Sequence, residues 1–190
     1  MDLTKIAFLV FLGCVGVERL IELQVSRRHQ RHLASRGARK HSDPQYRWMV
    51  ALHAGVLTGA AVEVIVLRRP FIALLAAAAL LLFALATVLR WWVIRTLGIH
   101  WNTEVVDSAS LGVITGGPFR WIRHPNYLGV FVELIALPLI HTAWITAAVA
   151  AAGNVFVLRN RLRVEERLLD AAPAYRAAMS GKPRFLPRIF

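Results

Sequence analysis

HPNYLGVFVELIALPLIHTAWITAAVAAAGNVFVL, residues 124–158, carries one acidic or strongly basic side chain, Glu133, in 35 positions. As a single α-helix it would run about 52 Å, at ~1.5 Å per residue. A hydrocarbon layer about 30 Å thick takes roughly 20 residues. The stretch is therefore too long for one crossing and slightly short for two full ones. Pro138 and His141-Thr142 mark the break. The reading is a closing hairpin of two helices, roughly 125–138 and 143–168, the first of them short.

Three apolar stretches precede it. Ile6 to about Val25 is charge-free only as far as Val17, so Glu18, Arg19 and Glu22 lie near its end or face other helices. Trp48–Leu67 carries His53 and Glu63, read as interhelical hydrogen-bonding groups, and Pro70–Leu89 carries no charge. Arg68-Arg69-Pro70 makes the connection between them a tight hairpin. The expected fold class is all-α: a polytopic integral membrane protein with about five transmembrane helices. One domain, 1–190, is expected, with three N-terminal helices over 1–89 and a C-terminal half over 90–190.

Composition points the same way. The chain is 57% hydrophobic with a mean hydropathy of +0.52. Its net charge of +12 comes from 23 Lys and Arg against 11 Asp and Glu. The basic residues are gathered in short runs between apolar stretches, which suits anionic headgroups and argues against nucleic acid. Seven fall in 26–47 (Arg27, Arg28, Arg31, Arg36, Arg39, Lys40, Arg47) and eight in 159–190, against two at 68–69 and none in 139–142. The positive-inside rule then puts 26–47, 95–123 and the C-terminus in the cytoplasm and the N-terminus outside, in a multi-pass cell-membrane protein.

Cys14 is the one cysteine, which rules out an intramolecular disulfide and a cysteine-built metal site. Leu12-Gly13-Cys14 faintly resembles a lipoprotein cleavage box. Without a basic leader or a small-residue cleavage site, however, the start reads as a first membrane helix. His29 and His32, three apart, have a spacing that permits a shared face, but they sit in a basic loop with no carboxylate or cysteine beside them, so no metal is expected.

Two segments break the membrane pattern, one at each end of the closing hairpin. In Gly116-Gly117-Pro118-Phe119-Arg120-Trp121-Ile122-Arg123-His124-Pro125-Asn126-Tyr127-Leu128-Gly129 the glycines and Pro118 make a turn and Pro125 starts a helix. His124 and Tyr127, three apart, share a face beside Arg120 and Arg123. A headgroup-anchoring loop would gather similar residues. In Arg159-Asn160-Arg161-Leu162-Arg163-Val164-Glu165-Glu166-Arg167, Arg159, Arg163 and Glu166 share one helical face and Glu165 the next. That run is either a solvated salt-bridge face or a carboxylate pair able to hold a cationic amine.

Together these segments resemble the isoprenylcysteine carboxyl methyltransferase family, whose C-terminal half is shared with membrane phospholipid N-methyltransferases. The resemblance runs over about 90–190. It rests on Gly117-Pro118-Phe119-Arg120, Arg123-His124-Pro125-Asn126-Tyr127-Leu128-Gly129, Arg159, Arg161, Arg163, Glu165-Glu166, Tyr175 and Pro183-Arg184-Phe185-Leu186-Pro187. It departs before Tyr175, where Pro173-Ala174 stand in place of a glycine. Arg90-Trp91-Trp92-Val93-Ile94-Arg95-Thr96-Leu97-Gly98 and Trp101-Asn102-Thr103, with His124-Pro125-Asn126-Tyr127 and Glu133, resemble more narrowly a bacterial branch. That branch is associated with type III polyketide synthases and O-methylates alkylpyrones or alkylresorcinols.

The resemblance implies an S-adenosylmethionine site on the cytoplasmic side, with His124, Tyr127, Pro125, Gly117, Glu165 and Glu166 as cofactor contacts. A cationic donor suits carboxylates and an aromatic face. Arg123 or Arg163 would hold the acceptor oxygen, or Arg161 if the last helix is rotated. Glu133 is either a proton acceptor or a packing partner for a polar group on the third helix. The expected partners are the bilayer and a lipid-like acceptor whose tail enters between helices. The competing classes are carboxyl methylation of isoprenylated cysteine, phospholipid N-methylation, and a non-enzymatic membrane scaffold.

Overall fold

The computed structural model describes residues 2–41, 45–107 and 112–185. Six α-helices lie among them: α1 Leu3–Ala34, α2 Gln45–Val66, α3 Ala73–Leu97, α4 Pro125–Leu139, α5 Trp144–Asp170 and α6 Pro173–Met179. Two-residue strands, β1 Arg39–Lys40 and β2 Val106–Asp107, pair antiparallel and join the α1–α2 connection to the α3–α4 connection.

The helix ends follow local chemistry. α3 is built largely of Ala and Leu, the strongest helix formers, and stops at Gly98, whose φ of 53° suits a residue without Cβ. Pro125 opens α4 at its first turn. The hairpin break falls at 140–143, with Pro138 inside the last turn of α4. The basic run after Val25, expected to lie outside the helix, continues α1 for more than two turns, because no Gly or Pro interrupts it before Gly37.

α3 packs along α4, α4 on α5, α5 on α2, and α2 on α1. Their shared core holds Phe8, Leu12, Val15, Val56, Val64, Phe83, Leu134 and Leu137. Two helices are long and apolar enough to cross a membrane, Gln45–Val66 and Ala73–His100, with mean hydropathies of 1.9 and 2.3. On α3, Leu74, Leu81, Leu82, Leu85 and Val88 all face outward, as suits an apolar surrounding. Exposed tryptophans lie at both ends, four at one and one at the other. Trp48, Trp91, Trp92 and Trp121 lie toward the start of α2 and end of α3, and Trp144 lies at the opposite end. α4, at 15 residues, is shorter than a full crossing.

Two polar arrangements lock the helices together. Glu63 of α2 caps α5, accepting from the amides of Ile145 (3.1 Å) and Thr146 (2.8 Å) and from the Thr146 hydroxyl. Arg69 closes the group at 2.7 Å. This is an N-cap supplied from another helix. The second is a four-charge cluster. Arg90 of α3 donates to Glu22 of α1 (2.7 Å) and Glu133 of α4 (2.9 Å), and Arg19 bonds the same two carboxylates at 2.8 and 2.9 Å. Thr87 supplies a further donor to Glu133 at 2.8 Å. Gly129 makes room for it, since a Cβ there would lie 2.6 Å from Arg90 Cγ.

Arg90→Met leaves two buried carboxylates sharing one cation. It is expected to destabilise the protein by roughly 3–5 kcal/mol, read as a fall in Tm in detergent. Arg90→Met combined with Glu133→Met restores neutrality and should recover most of the loss.

Candidate functional site

The site lies at the end of the bundle where α2 and α4 begin and α3 ends. Gly117 has φ 54° and sits so close to α3 that a Cβ would meet Thr96 Oγ1 at 2.4 Å. The 3-10 turn Gly117–Arg120 that follows buries Phe119 against Val93, Trp101, Tyr175 and Met179. The chain then enters α4 through Arg123 and His124, whose amides donate to the carbonyls of Pro183 (2.9 Å) and Arg184 (3.0 Å). Lys182 Nζ donates to Phe119 O at 2.7 Å. The segment after α6 is thus strapped across the start of α4.

The loop after α3 is tied down from two sides. His29 Nδ1 donates to Trp101 O at 2.8 Å, and Ser26 Oγ, fully buried, accepts from Thr103 N at 2.9 Å. Arg161 Nη2 of α5 donates to Thr103 O. These elements enclose a cavity of about 390 Å³, within the ~300–1,000 Å³ of small-molecule sites.

Polar groups gather at its loop end. Tyr127 donates to Glu165 and accepts from Arg161 Nε at 2.8 Å. The Arg161 guanidinium also lies 5.8 Å from the Tyr127 ring centre and reaches Met49 Sδ at 3.0 Å. Several of the cavity's lining residues carry a buried polar atom without a hydrogen-bond partner: Asn102 Oδ1, Asn126 Oδ1, Trp101 Nε1, Arg123 Nε and Asn154 Nδ2. Acceptors and donors are both present, so the cavity fits a ligand with hydrogen-bonding groups of both kinds. Tyr175 also lines it, and burial pushes its phenol up to about 12, so it stays protonated at neutral pH.

The two adjacent carboxylates do different things. Glu165 lines the cavity. Glu166 turns away to a clasp. It pairs with His124 Nε2 (3.3 Å), with Arg184 through two bonds of 2.8 and 2.7 Å, and with Arg123 at 3.4 Å. The bond from His124, then those from Arg184, hold its carboxyl down at about 2 despite desolvation.

Of the site residues expected from sequence, Arg123, His124, Pro125, Tyr127, Arg161 and Glu165 line the cavity. Gly117, Glu133, Arg163 and Glu166 do not. Arg163 corrects the expected helical phase. It is exposed and bonds Asn160 at 3.4 Å, because the packed face of α5 runs through Asn154, Val157, Arg161 and Leu162. Glu133 belongs to the four-charge cluster and pairs with Thr87 and Arg90, polar groups of α3. Glu63 bonds between helices as expected, whereas His53 bonds Met49 O within its own helix and lines the cavity. The lone Asn154 in an apolar run was a signal passed over.

Residues 77–171 match the isoprenylcysteine carboxyl methyltransferase family. The chain is 26% identical to the uncharacterized protein YpbQ of Bacillus subtilis over 164 residues, 86% of this chain and 96% of its relative. It is also 26% identical to an uncharacterized protein of Haemophilus influenzae over 167 residues, 85% and 94% of the two chains.

With its carboxyl at about 2, Glu166 stabilises the clasp fully above the ordinary 4.5 and loses that contribution as pH falls through about 2. Hydrogen exchange at the Arg123 and His124 amides, corrected for intrinsic rates, should accelerate over that window. In Glu166→Ala it should be fast already at neutral pH, and trypsin should cut readily after Arg184.

Proposed function

The chain belongs to the isoprenylcysteine carboxyl methyltransferase family of membrane methyltransferases, and from that footing we propose that it is an S-adenosylmethionine-dependent O-methyltransferase acting on a lipid-like acceptor, an alkylpyrone or alkylresorcinol. The observation that carries the proposal is the cavity within the matched span. Its lining combines the Glu165 carboxylate, the Tyr127 ring whose hydroxyl it accepts from, and residues with unpaired buried donors and acceptors.

S-adenosylmethionine would supply a methyl group on a sulfonium centre. Glu165 would hold its amino group, with the Tyr127 ring beside the positive charge. Tyr127 is already fixed between Glu165 and Arg161, so little ordering is left for binding. Arg123 Nε suits the cofactor's carboxylate, and Asn102, Asn126 and Trp101 suit its ribose and base. His124, Arg123 and the strap are positioned by Glu166, which in this reading touches no ligand.

Arg161 is the residue to hold the acceptor oxygen. Its Nη1 donates to a thioether, a weak acceptor that a phenolate or enolate oxygen would replace. A positive charge there favours the ionised acceptor. Val130, Val157 and Leu158 wall the cavity on the helix side, excluding water from a displacement that needs in-line alignment. Glu133 is assigned to holding helices together.

The proposed setting is a multi-pass cell-membrane protein with five crossings and the site on the cytoplasmic side. The basic residues and the four exposed tryptophans at the site end support it.

Purified protein in detergent should transfer labelled methyl from S-adenosylmethionine to an alkylresorcinol. Glu165→Gln should weaken cofactor binding about tenfold or more, as expected for a lost charge-assisted hydrogen bond. Label on farnesylated cysteine alone, or on phosphatidylethanolamine alone, would replace the acceptor. Absence of cofactor binding by the wild type would return the chain to a scaffold role.

A further inference from the structure

The cavity does not end at Arg161. Its lining also takes in Leu57, Val130 and Val157, and two polar side chains to which the reading above gives no role. These are His53 and Asn154. His53 is one turn along α2 from Met49, the residue that meets Arg161. Gly153 of α5 faces Leu52 of α2, a Cβ there lying 2.9 Å from Leu52 Cδ1, so α2 and α5 pack closely beside the pair, and both His53 and Asn154 line the one cavity.

Each of these side chains has an open valence of opposite kind. A carbonyl can only accept, so the 2.8 Å contact of His53 Nδ1 with Met49 O fixes the proton on Nδ1. Nε2 is then left as an acceptor. Asn154 is 6% exposed in an apolar stretch of α5, and its Nδ2 has no hydrogen-bond partner. An unpaired amide in such surroundings is destabilising, and a ligand oxygen would offset that. The charges facing His53 are Arg19 and Glu22 of α1, Arg90 of α3 and Glu133 of α4. They form the closed cluster described above and sum to zero, while α5 contributes the uncharged Asn154.

We infer that His53 and Asn154 complete, beside Arg161, the acceptor subsite of the proposed methyltransferase. Asn154 Nδ2 donates to one oxygen of a ring bearing two oxygens, and His53 Nε2 accepts the proton of the hydroxyl that is methylated. This rests on the methyl-transfer reading and restricts it to protic acceptors. A carboxylate, already ionised, has no proton for Nε2. As the hydroxyl proton passes to His53, the oxygen forms its bond to the methyl carbon. The carbon–sulfur bond breaks with its electron pair going to sulfur, and the imidazolium then releases its proton to water.

The test uses the full chain in detergent with a 5-alkylresorcinol and, as control, its dimethyl ether. Binding of the resorcinol, read by tryptophan fluorescence, should weaken about tenfold in His53→Gln and in Asn154→Leu. The dimethyl ether, which keeps its acceptor oxygens but has no O–H, should bind the wild type and His53→Gln alike and weaken only in Asn154→Leu, and S-adenosylmethionine affinity should not change. Asn154→Leu should also raise the Tm, because it removes an unpaired polar group, whereas a structural asparagine would lower it. Wild-type methyl transfer should level off near neutral pH. His53→Gln should be about 10²–10⁴-fold slower there and gain tenfold per pH unit as the resorcinol ionises unaided. Equal resorcinol binding in all three proteins, or parallel pH profiles, would overturn the subsite. A wild type that binds the resorcinol but transfers no methyl group would overturn the activity instead, and the binding comparison would still decide the subsite.

Discussion

Arg90 is the hub on which the bundle depends. A guanidinium 3% exposed among apolar helices is tolerable only if its charge is met. Here Glu22 from α1 and Glu133 from α4 meet it from two directions, and Arg19 completes the neutral set. Three helices distant in sequence are thereby fixed in rotation as well as in distance. Apolar packing alone specifies rotation poorly where lipid is as apolar as the side chains. Because α1 and α4 are locked at this level, the loop end of the bundle inherits their orientation. His124 and Tyr127 on α4 then face Glu165 and Arg161 on α5, and Ser26 on α1 meets the loop after α3.

From that frame the site divides its labour in a way adjacent residues rarely do. Glu165 and Glu166 are neighbours on one helix, yet one looks into the cavity and the other holds the chain's C-terminal strap. The wall of the cavity is therefore made by groups already bonded to one another, and its unmatched atoms are the asparagines, the Trp101 indole and Arg123 Nε. A site so arranged recognises a ligand through hydrogen bonds it lacks rather than through charges it must first uncouple.

Much of this was legible in the chain. The interruption at 140–143 followed from length and from Pro138 and His141-Thr142, and the Gly-Pro and His-Pro dipeptides located the turn and the start of α4. Arg123, His124, Tyr127 and Glu165 could be named because turn chemistry and helical spacing are local. Arg163 was misplaced because a run of Arg and Glu has no apolar stripe to set its phase, and the buried face is set by Asn154, Val157 and Arg161 instead. The continuation of α1 beyond Val25 was hidden by treating positive charge as the end of a helix, when it marks only the end of the apolar layer. The pairing of Glu22 with Arg90 across 68 positions leaves no periodic trace at all.

The cap that Glu63 places on α5 bears on how the molecule comes together. The first amides of α5 are donors that helix geometry cannot satisfy, and hydrocarbon offers them nothing. Their acceptor sits on α2, made some eighty residues earlier during synthesis. The last long helix is thus incomplete until it finds the second. The register of the closing hairpin against α2 is thereby tied to a single carboxylate, since only one placement of α5 brings the Ile145 and Thr146 amides to Glu63.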